Sequence, residues 1–343
     1  MAAKRTTIKD IAKLAQVSPA AVSMAINGRE GLSDATKNRI LHTIKEMNYY
    51  PNAASQRLVH RKSFNIALFY PAEVSPFSNF FYNEVVHGLV EELTESRLNV
   101  VFVPLFVRNG QCKIPDIINK QDADGAIFLH DAPTSLLNKL DSLELPYMLF
   151  DWQKDPGQRT NIDLDNKHSI YMATKYLIDK GHKNIAFLGP SRYPQFFLRC
   201  FAGYQSALDE AKLPIYTGWI QDSVHDVESA CAALKKLMDT QPQPTAVCCA
   251  HDECALHAIK AATILDIPVP EKLSFVGKDD ISVSSYVYPE LTTVSYDKNK
   301  IGKDAACLLL KMLGGETVEN VVACMDGIIE RKSVATLWPT ERV

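Results

Sequence analysis

Long apolar runs are missing from this 343-residue chain. No stretch approaches the roughly 18 consecutive apolar residues that cross a bilayer, so no membrane role is expected. The opening residues MAAKRTTIKDIAKLAQ lack the apolar centre of a secretory signal, and a cytoplasmic protein is expected. Eight cysteines, at 112, 200, 231, 248, 249, 254, 307 and 324, form no C-x-x-C pair and no zinc spacing. Buried, reduced thiols are therefore expected rather than a disulfide framework or a metal site. Neither G-x-G-x-x-G nor G-x-x-x-x-G-K-[ST] occurs, which removes the usual phosphate-cradling signatures. Cys200, His251 and Asp279 could be imagined as a nucleophile set, but no catalytic signature surrounds the cysteine. No enzyme, cofactor or metal is expected.

What is present is a well-supplied core and an uneven distribution of charge. Hydrophobic residues make up 46% of the chain, enough for folded domains, and the length suits two or three of them. The net charge of −3 conceals eleven Lys and Arg against four acids in residues 1–62, a local +7, while the remainder carries −10. A basic N-terminal unit on an acidic body is the asymmetry of a chain whose one end meets a polyanion. A chance solvated basic face would look the same on charge alone.

Ile8, Ile11, Ala12, Leu14 and Ala15 recur at helical spacing. Gln16-Val17 break that helix. Ser18-Pro19 start another, with a capping hydroxyl and a proline at the first helical position, where no N–H bond is lost. Ala21, Val22, Ala25 and Ile26 continue it, and Asn27-Gly28 end it. Ser33 then caps a third helix with Ile40, Leu41, Ile44 and Met47 on its inner face. Two short helices joined by a tight turn and braced by a third form a helix-turn-helix. In such a unit the second helix fits the major groove while flanking groups hold phosphates, a task open to Thr7, Ser18, Ser23, Asn27 and Ser33. Three-helix units also occur without DNA.

The segment TIKDIAKLAQVSPAAVSMAING followed by YYPNAASQRL closely resembles the headpiece and hinge of the LacI/GalR family of bacterial repressors over residues 6–62. The resemblance implies a DNA-binding domain at 1–50, a hinge helix and linker at 51–63, and an effector-binding, dimer-forming core at 64–343. It implies a hinge helix that folds on the operator and wedges Leu58 into the minor groove, with Asn52, Ser55 and Gln56 beside it. A wedge of this kind kinks the duplex at a cost of a few kcal/mol, regained through wider contact; an ordinary linker leucine is the alternative. The family's base-reading positions fall on Pro19, Ala20 and Met24, where many relatives carry long polar side chains. Apolar side chains cannot make the bidentate arginine–guanine contact but can touch thymine methyls, so either weaker base readout or a preference for A·T pairs is expected, with hinge and phosphate contacts supplying more of the affinity.

Beyond Ser63 short apolar strands alternate with amphipathic helices. Strands are expected at 65–70, 99–104, 125–130, 147–151, 184–189, 215–220, 245–250 and 273–277. Helices are expected near 79–96, 111–121, 133–143, 166–181, 199–212, 225–239, 252–266 and 298–314. This alternation indicates parallel doubly wound sheets, too many strands for one, with GHKNIAFLG opening a second module. The resemblance continues through DADGAIFL, VPEKLSFVGKDD and PELTTV and implies a periplasmic-binding-protein type I fold. Its N-subdomain would span about 64–162 and 292–321 and its C-subdomain about 163–291 and 322–343, crossing near Asp163, Leu291 and Val321.

Ligands of doubly wound sheets sit beyond the carboxyl ends of the strands, here facing the cleft between subdomains. Carried over by motif, the effector positions are Phe81, Tyr82, Asp151, His251 and Asp279. Carboxylates and aromatics suit a polyhydroxylated ligand, supplying acceptors for hydroxyls and flat faces for ring C–H groups. Asp279 could instead cap a helix, and His251 could be a satisfied core histidine. Two departures stand out. Cys200 occupies the place of the family's sugar-gripping arginine, with Arg199 just before it on a different face, and Lys278 replaces a more usual aromatic. A sugar acid or sugar phosphate held by Lys278, Arg199 or Arg192 is therefore an expectation beside an ordinary sugar.

The implied protein is a transcriptional regulator, in the main a repressor, that binds a near-palindromic double-stranded operator as a homodimer and answers to a small molecule. Two rivals remain. One is a DNA-binding regulator governed by a partner protein; the other is a solute-binding receptor of the same fold.

Overall fold

The computed structural model describes residues 6–26, 30–47, 49, 62–154, 156–191 and 193–337. The chain divides into a headpiece, residues 1–64, and a core, residues 65–343.

In the headpiece, α1 (Ile8–Leu14) begins at the first of its helically spaced apolar residues, and α2 (Pro19–Ile26) and α3 (Asp34–Glu46) begin where the capping residues Ser18 and Ser33 predict. Thr7 and Asp10 form a reciprocal capping box on α1, and Ser33 caps α3. Gln16, at φ +53, turns the chain between α1 and α2. Ile11, Ala12, Val22, Ala25, Ile40 and Tyr49 share one small core. Two expectations fail here for the same geometric reason. Leu14 and Leu41 are exposed, at 58% and 41%, because each lies one residue off its helix's buried stripe, a rotation of about 100°. Thr43 takes the buried place instead, its hydroxyl donating to the Arg39 carbonyl at 3.0 Å.

The core contains two six-stranded sheets. In the first lobe, β1 (Asn65–Pro71), β2 (Asn99–Leu105), β3 (Gly125–Leu129), β4 (Tyr147–Phe150), β5 (Asn161–Leu164) and β11 (Val321–Ala323) run parallel in the order β11-β5-β4-β3-β1-β2. In the second lobe, β6 (Ile185–Leu188), β7 (Ile220–Gln221), β8 (Ala246–Cys249), β9 (Ser274–Asp279), β10 (Thr292–Ser295) and β12 (Gly327–Ile329) take the order β12-β10-β9-β8-β6-β7. Only the β10–β12 pair is antiparallel among these strands. The central strands are buried end to end, as parallel strands covered on both faces must be.

Helices α4 (Phe80–Glu95), α5 (Asp116–Asn119), α6 (Thr134–Ser142) and α11 (Lys298–Leu313) accompany the first sheet; α7 (Asn166–Asp179), α8 (Pro194–Glu210), α9 (Val227–Met238) and α10 (Asp252–Ile264) accompany the second. Gly88 on α4 and Gly302 on α11 let these two helices touch backbone to backbone; a Cβ on Gly302 would overlap the Val85 carbonyl, and one on Gly88 the Asn299 carbonyl.

Several boundaries differ from expectation. The strand expected at 215–220 is a 3-10 turn at Thr217–Trp219 followed by a two-residue strand, because Trp219 turns inward to donate to Thr240. The helix expected at 111–121 is the single turn α5, and α8 starts five residues early, with Pro194 at its first turn. Strands β5, β10, β11 and β12 had no expected counterpart. Because β5 and β11 belong to the first sheet and β10 to the second, the crossings follow Leu164, Ser295 and Ala323, a few residues beyond those expected. The cysteines are free thiols; Cys200, Cys248, Cys249 and Cys254 are buried, while Cys324 is exposed. No helix among the described residues is long and apolar enough to cross a membrane.

Candidate DNA-reading face and ligand cavity

Helix α2 turns Val22 and Ala25 inward and leaves Pro19 and Ala20 exposed at its N-terminal end, with Ser23 and Met24 half-buried. The three capping hydroxyls have work within the headpiece. Thr7 donates to the Asp10 carboxylate at 2.7 Å, Ser18 accepts from the Ala21 N–H at 3.1 Å, and Ser33 accepts from the Thr36 N–H at 3.3 Å. They set the starts of the helices that a duplex would meet, and a phosphate contact by Thr7 must displace its bond to Asp10. Met24 rests its terminal methyl against the loop after α2: a Cβ on Gly31, which sits at φ +113, would stand 2.9 Å from Met24 Cε. Asn27, Asn52, Ser55, Gln56 and Leu58 lie outside the described residues, as does Arg192.

In the core a cavity of about 200 Å³ opens where the carboxyl ends of strands from both lobes converge. Phe81 and Tyr82 reach it from the first turn of α4, and Asp151 from just beyond β4; His251, Lys278 and Asp279 reach it from the second lobe. These six expected positions are thus brought together. Tyr82 donates to Asp151 Oδ2 at 2.6 Å and Gln153 to Asp151 Oδ1 at 2.8 Å. Burial raises the Asp151 carboxyl above its ordinary range, a shift tempered by His130, the Tyr82 hydrogen bond and Lys278. Gln153, 5% exposed, keeps its Oε1 without a hydrogen-bond partner among the described residues. That is an acceptor suited to a ligand hydroxyl.

Lys278 is only 2% exposed. Its ammonium donates to Asp279 Oδ1 at 2.7 Å and to Asn166 Oδ1 at 3.0 Å, and lies over the rings of Phe81, Phe196 and Tyr296 at 5.5–6.0 Å. Burial opposes its charge, yet Asp279 and the surrounding groups more than offset this and hold Lys278 above the ordinary lysine value. Successive strand side chains normally face opposite ways; φ +119 at Asp279 breaks that alternation and allows the adjacent pair to meet. His130 and Asp151 also have positive φ, +60 and +52. Backbone strain therefore gathers at the cavity, where strain in folded proteins tends to be functional. Lys298 fixes the far side, donating to the Asp279 and Asp280 carbonyls at 2.8 and 2.7 Å.

His251 does two jobs. It lines the cavity, and as N-cap of α10 its Nδ1 accepts from the Cys254 N–H at 3.2 Å. Asp279 caps no helix. Asp252, fully buried, accepts from the Ile281 N–H, the Ser284 hydroxyl and the Thr293 hydroxyl, and so ties the loop after β9 to α10. Burial, aided by Asp279, raises it to about 7.

Two expected positions are corrected. Cys200 is fully buried between α8 and β8, away from the cavity, and burial pushes its thiol far above the ordinary range. Such a thiol is not an activated nucleophile. Arg199 also lies off the cavity, with Nη1 3.1 and 2.9 Å from the two carboxylate oxygens of Asp163. Since Asp163 is on β5 and Arg199 on α8, this ion pair joins the lobes. The positions of α8 that do reach the cavity are Phe196 and, just before the helix, Tyr193. These two were missed because the helix starts earlier than expected. His130 and Gln153 were also missed, although both follow strand ends, where the rule for doubly wound sheets would have found them.

Residues 7–52 match the family described as bacterial regulatory proteins, lacI family, and residues 174–334 match the periplasmic binding protein-like domain. The HTH-type transcriptional repressor PurR of Histophilus somni strain 2336 is 32% identical over 338 residues, covering 96% of this chain and 99% of the relative. Among solved structures, the complex of the transcriptional regulator CelR with cellobiose aligns at a TM-score of 0.68 and 27% identity, over 96% of this chain and 100% of that one. The lac repressor dimer bound to operator and an anti-inducer aligns at 0.81 and 22% identity, over 97% and 100%, a likeness of fold.

Proposed function

The chain belongs to the lacI family of bacterial regulatory proteins, its relatives include transcriptional repressors such as PurR, and on that footing we propose that it represses transcription as a dimer on a near-palindromic operator, its grip set by a neutral, hydroxyl-rich ligand in the cavity between the lobes. One observation carries this reading: a single chain joins a helix-turn-helix with an exposed α2 start to a core whose cavity is lined from both sheets. Helix-turn-helix proteins bind as dimers on paired half-sites, which is why near-palindromy is expected.

The chemistry of the lining supports a neutral sugar over a sugar acid or sugar phosphate. Asp151, Asp279, Glu73 and Glu253 contribute carboxylates, while Lys278 is already matched by Asp279 and Arg199 is engaged elsewhere. Among the described residues, an anion would meet more like charge than unlike charge. The cellobiose complex of a relative 27% identical to this chain favours the same ligand class. A rival role as a solute receptor leaves the headpiece without a use, and a partner-protein effector leaves the formed cavity without one.

A ligand shifts the two states only through unequal affinity for them. Closure of the cleft would rotate one lobe against the other and so change the hold on DNA. The test is a binding-site selection with the full chain, followed by titration of the enriched duplex with sugars. A two-fold-related consensus whose affinity falls steeply with salt and changes severalfold with one sugar is expected. Enrichment of no duplex over random DNA would refute it.

A further inference from the structure

The cleft holds more room than the cavity just described. Beside it lies a second hollow of about 470 Å³, and Glu73, Val74, His130 and Tyr193 line both. Small-molecule sites usually measure about 300–1,000 Å³. The first cavity, at about 200 Å³, falls short of that range; with its neighbour it stands in the middle.

Two of the shared residues are rings from different lobes. His130, directly after β3, meets Tyr193, directly before α8, edge to face at 5.2 Å. The imidazole is held from behind, its Nδ1 accepting from the Asp131 N–H at 2.8 Å. Beyond this pair the second hollow presents Pro71, Val107 and Pro133 as apolar faces. It also presents an ion pair, Lys154 to Asp131 at 3.3 Å.

We propose that the ligand is a two-ring carbohydrate. One ring would occupy the first cavity against Phe81, with hydroxyls on Asp151 and Gln153. The glycosidic link would pass the His130–Tyr193 pair, and the second ring would lie on the proline and valine faces with hydroxyls on Asp131 and Lys154. Apolar faces interleaved with fixed donors and acceptors recognise a sugar ring. The Lys154 charge is matched by Asp131, so the second hollow, like the first, favours hydroxyls over an anion. This inference rests on reading the cleft as a sugar site and adds the number of rings.

The test is isothermal titration calorimetry on the full chain with glucose, galactose and ribose against cellobiose, maltose, lactose and trehalose. At least one disaccharide should bind about tenfold or more tightly than every monosaccharide, a difference of about 1.4 kcal/mol. Val107→Trp, at a half-exposed loop position, should fill the second hollow and erase that advantage, read as the ratio of disaccharide to monosaccharide affinity in the same protein. Lys154→Met, which keeps most of the side-chain volume and removes the ammonium donor, should weaken disaccharide binding severalfold. Monosaccharides binding as well as disaccharides, or a Val107→Trp protein that keeps its disaccharide affinity, would overturn the two-ring assignment alone. Binding of no sugar of either kind would overturn it together with the sugar reading.

Discussion

Replacing Lys278 with methionine separates two roles for this buried cation. If it is the counter-ion of Asp279, the substitution leaves a carboxylate in a cavity wall with its hydrogen-bonded cation gone, since Lys298 bonds to the carbonyl of Asp279 and not to its carboxylate. Breaking a buried ion pair from one side costs about 3–5 kcal/mol. At about 2–4 °C per kcal/mol for a domain of this size, the core should melt about 6–20 °C lower. Neutralising the survivor as well, in Lys278→Met/Asp279→Asn, should recover at least half of the loss, because a neutral pair of similar volume is often tolerated.

The pH dependence has a definite sign. Burial raises the Asp279 carboxyl, and Lys278 is the chief group that lowers it again; without Lys278 the folded value rises further above the unfolded one. A carboxyl with a raised folded pKa loses stability as pH climbs through the interval between the two values. The deficit of Lys278→Met should therefore be smaller at pH 5 than at pH 8, measured by differential scanning calorimetry. A single variant that melts within about 1 °C of the parent, against the 6–20 °C worked from the pair, would refute the counter-ion role. So would a double variant weaker than the single. Either result would restore Lys278 as a cation free to hold an anionic ligand.

Asp252, raised to about 7, should make the core lose stability as pH rises from about 4 to 7, since the unfolded carboxyl gives up its proton first. Asp252→Asn should flatten that part of the urea-denaturation profile, and parallel profiles would contradict it. Arg199→Ala removes a half-exposed pair between the lobes and should cost about 1 kcal/mol or less. A double-mutant cycle with Asp163→Asn should show coupling of that size, whereas additive effects would deny the link. Gly31→Ala places a side chain at φ +113 against Met24 and should weaken the headpiece by about 1 kcal/mol. Operator affinity should drop while the core transition of a melting curve stays put, and an unchanged affinity would count against this packing.

Local signals carried the parts of the fold that were legible in the sequence. The caps at Ser18 and Ser33 act within three residues, so α2 and α3 start where they are expected. Central strands such as GAIFL and NIALFY are continuous apolar runs and could be placed to within a residue. By contrast, β5, β10, β11 and β12 are three or four residues long and take their strand character from neighbours far along the chain. No local pattern marks them.

The cavity was legible where a strand-end motif names a position, as at Asp151, His251 and Asp279. It was misread on α8, where an early helix start turns Phe196 rather than Arg199 or Cys200 toward the cavity. The role of Lys278 depends on a left-handed Asp279 and on Asn166, 112 residues away in sequence. Such a constellation exists only after folding.

The most direct test of a DNA-reading protein tuned through its cleft is the affinity of the full chain for its selected duplex, read by fluorescence anisotropy with and without a bound sugar. That affinity should change by about fivefold or more, the lower end of usual allosteric coupling, and the change should vanish when Asp151→Asn abolishes sugar binding. Equal affinity for the selected duplex and a scrambled one under both conditions would contradict the central claim.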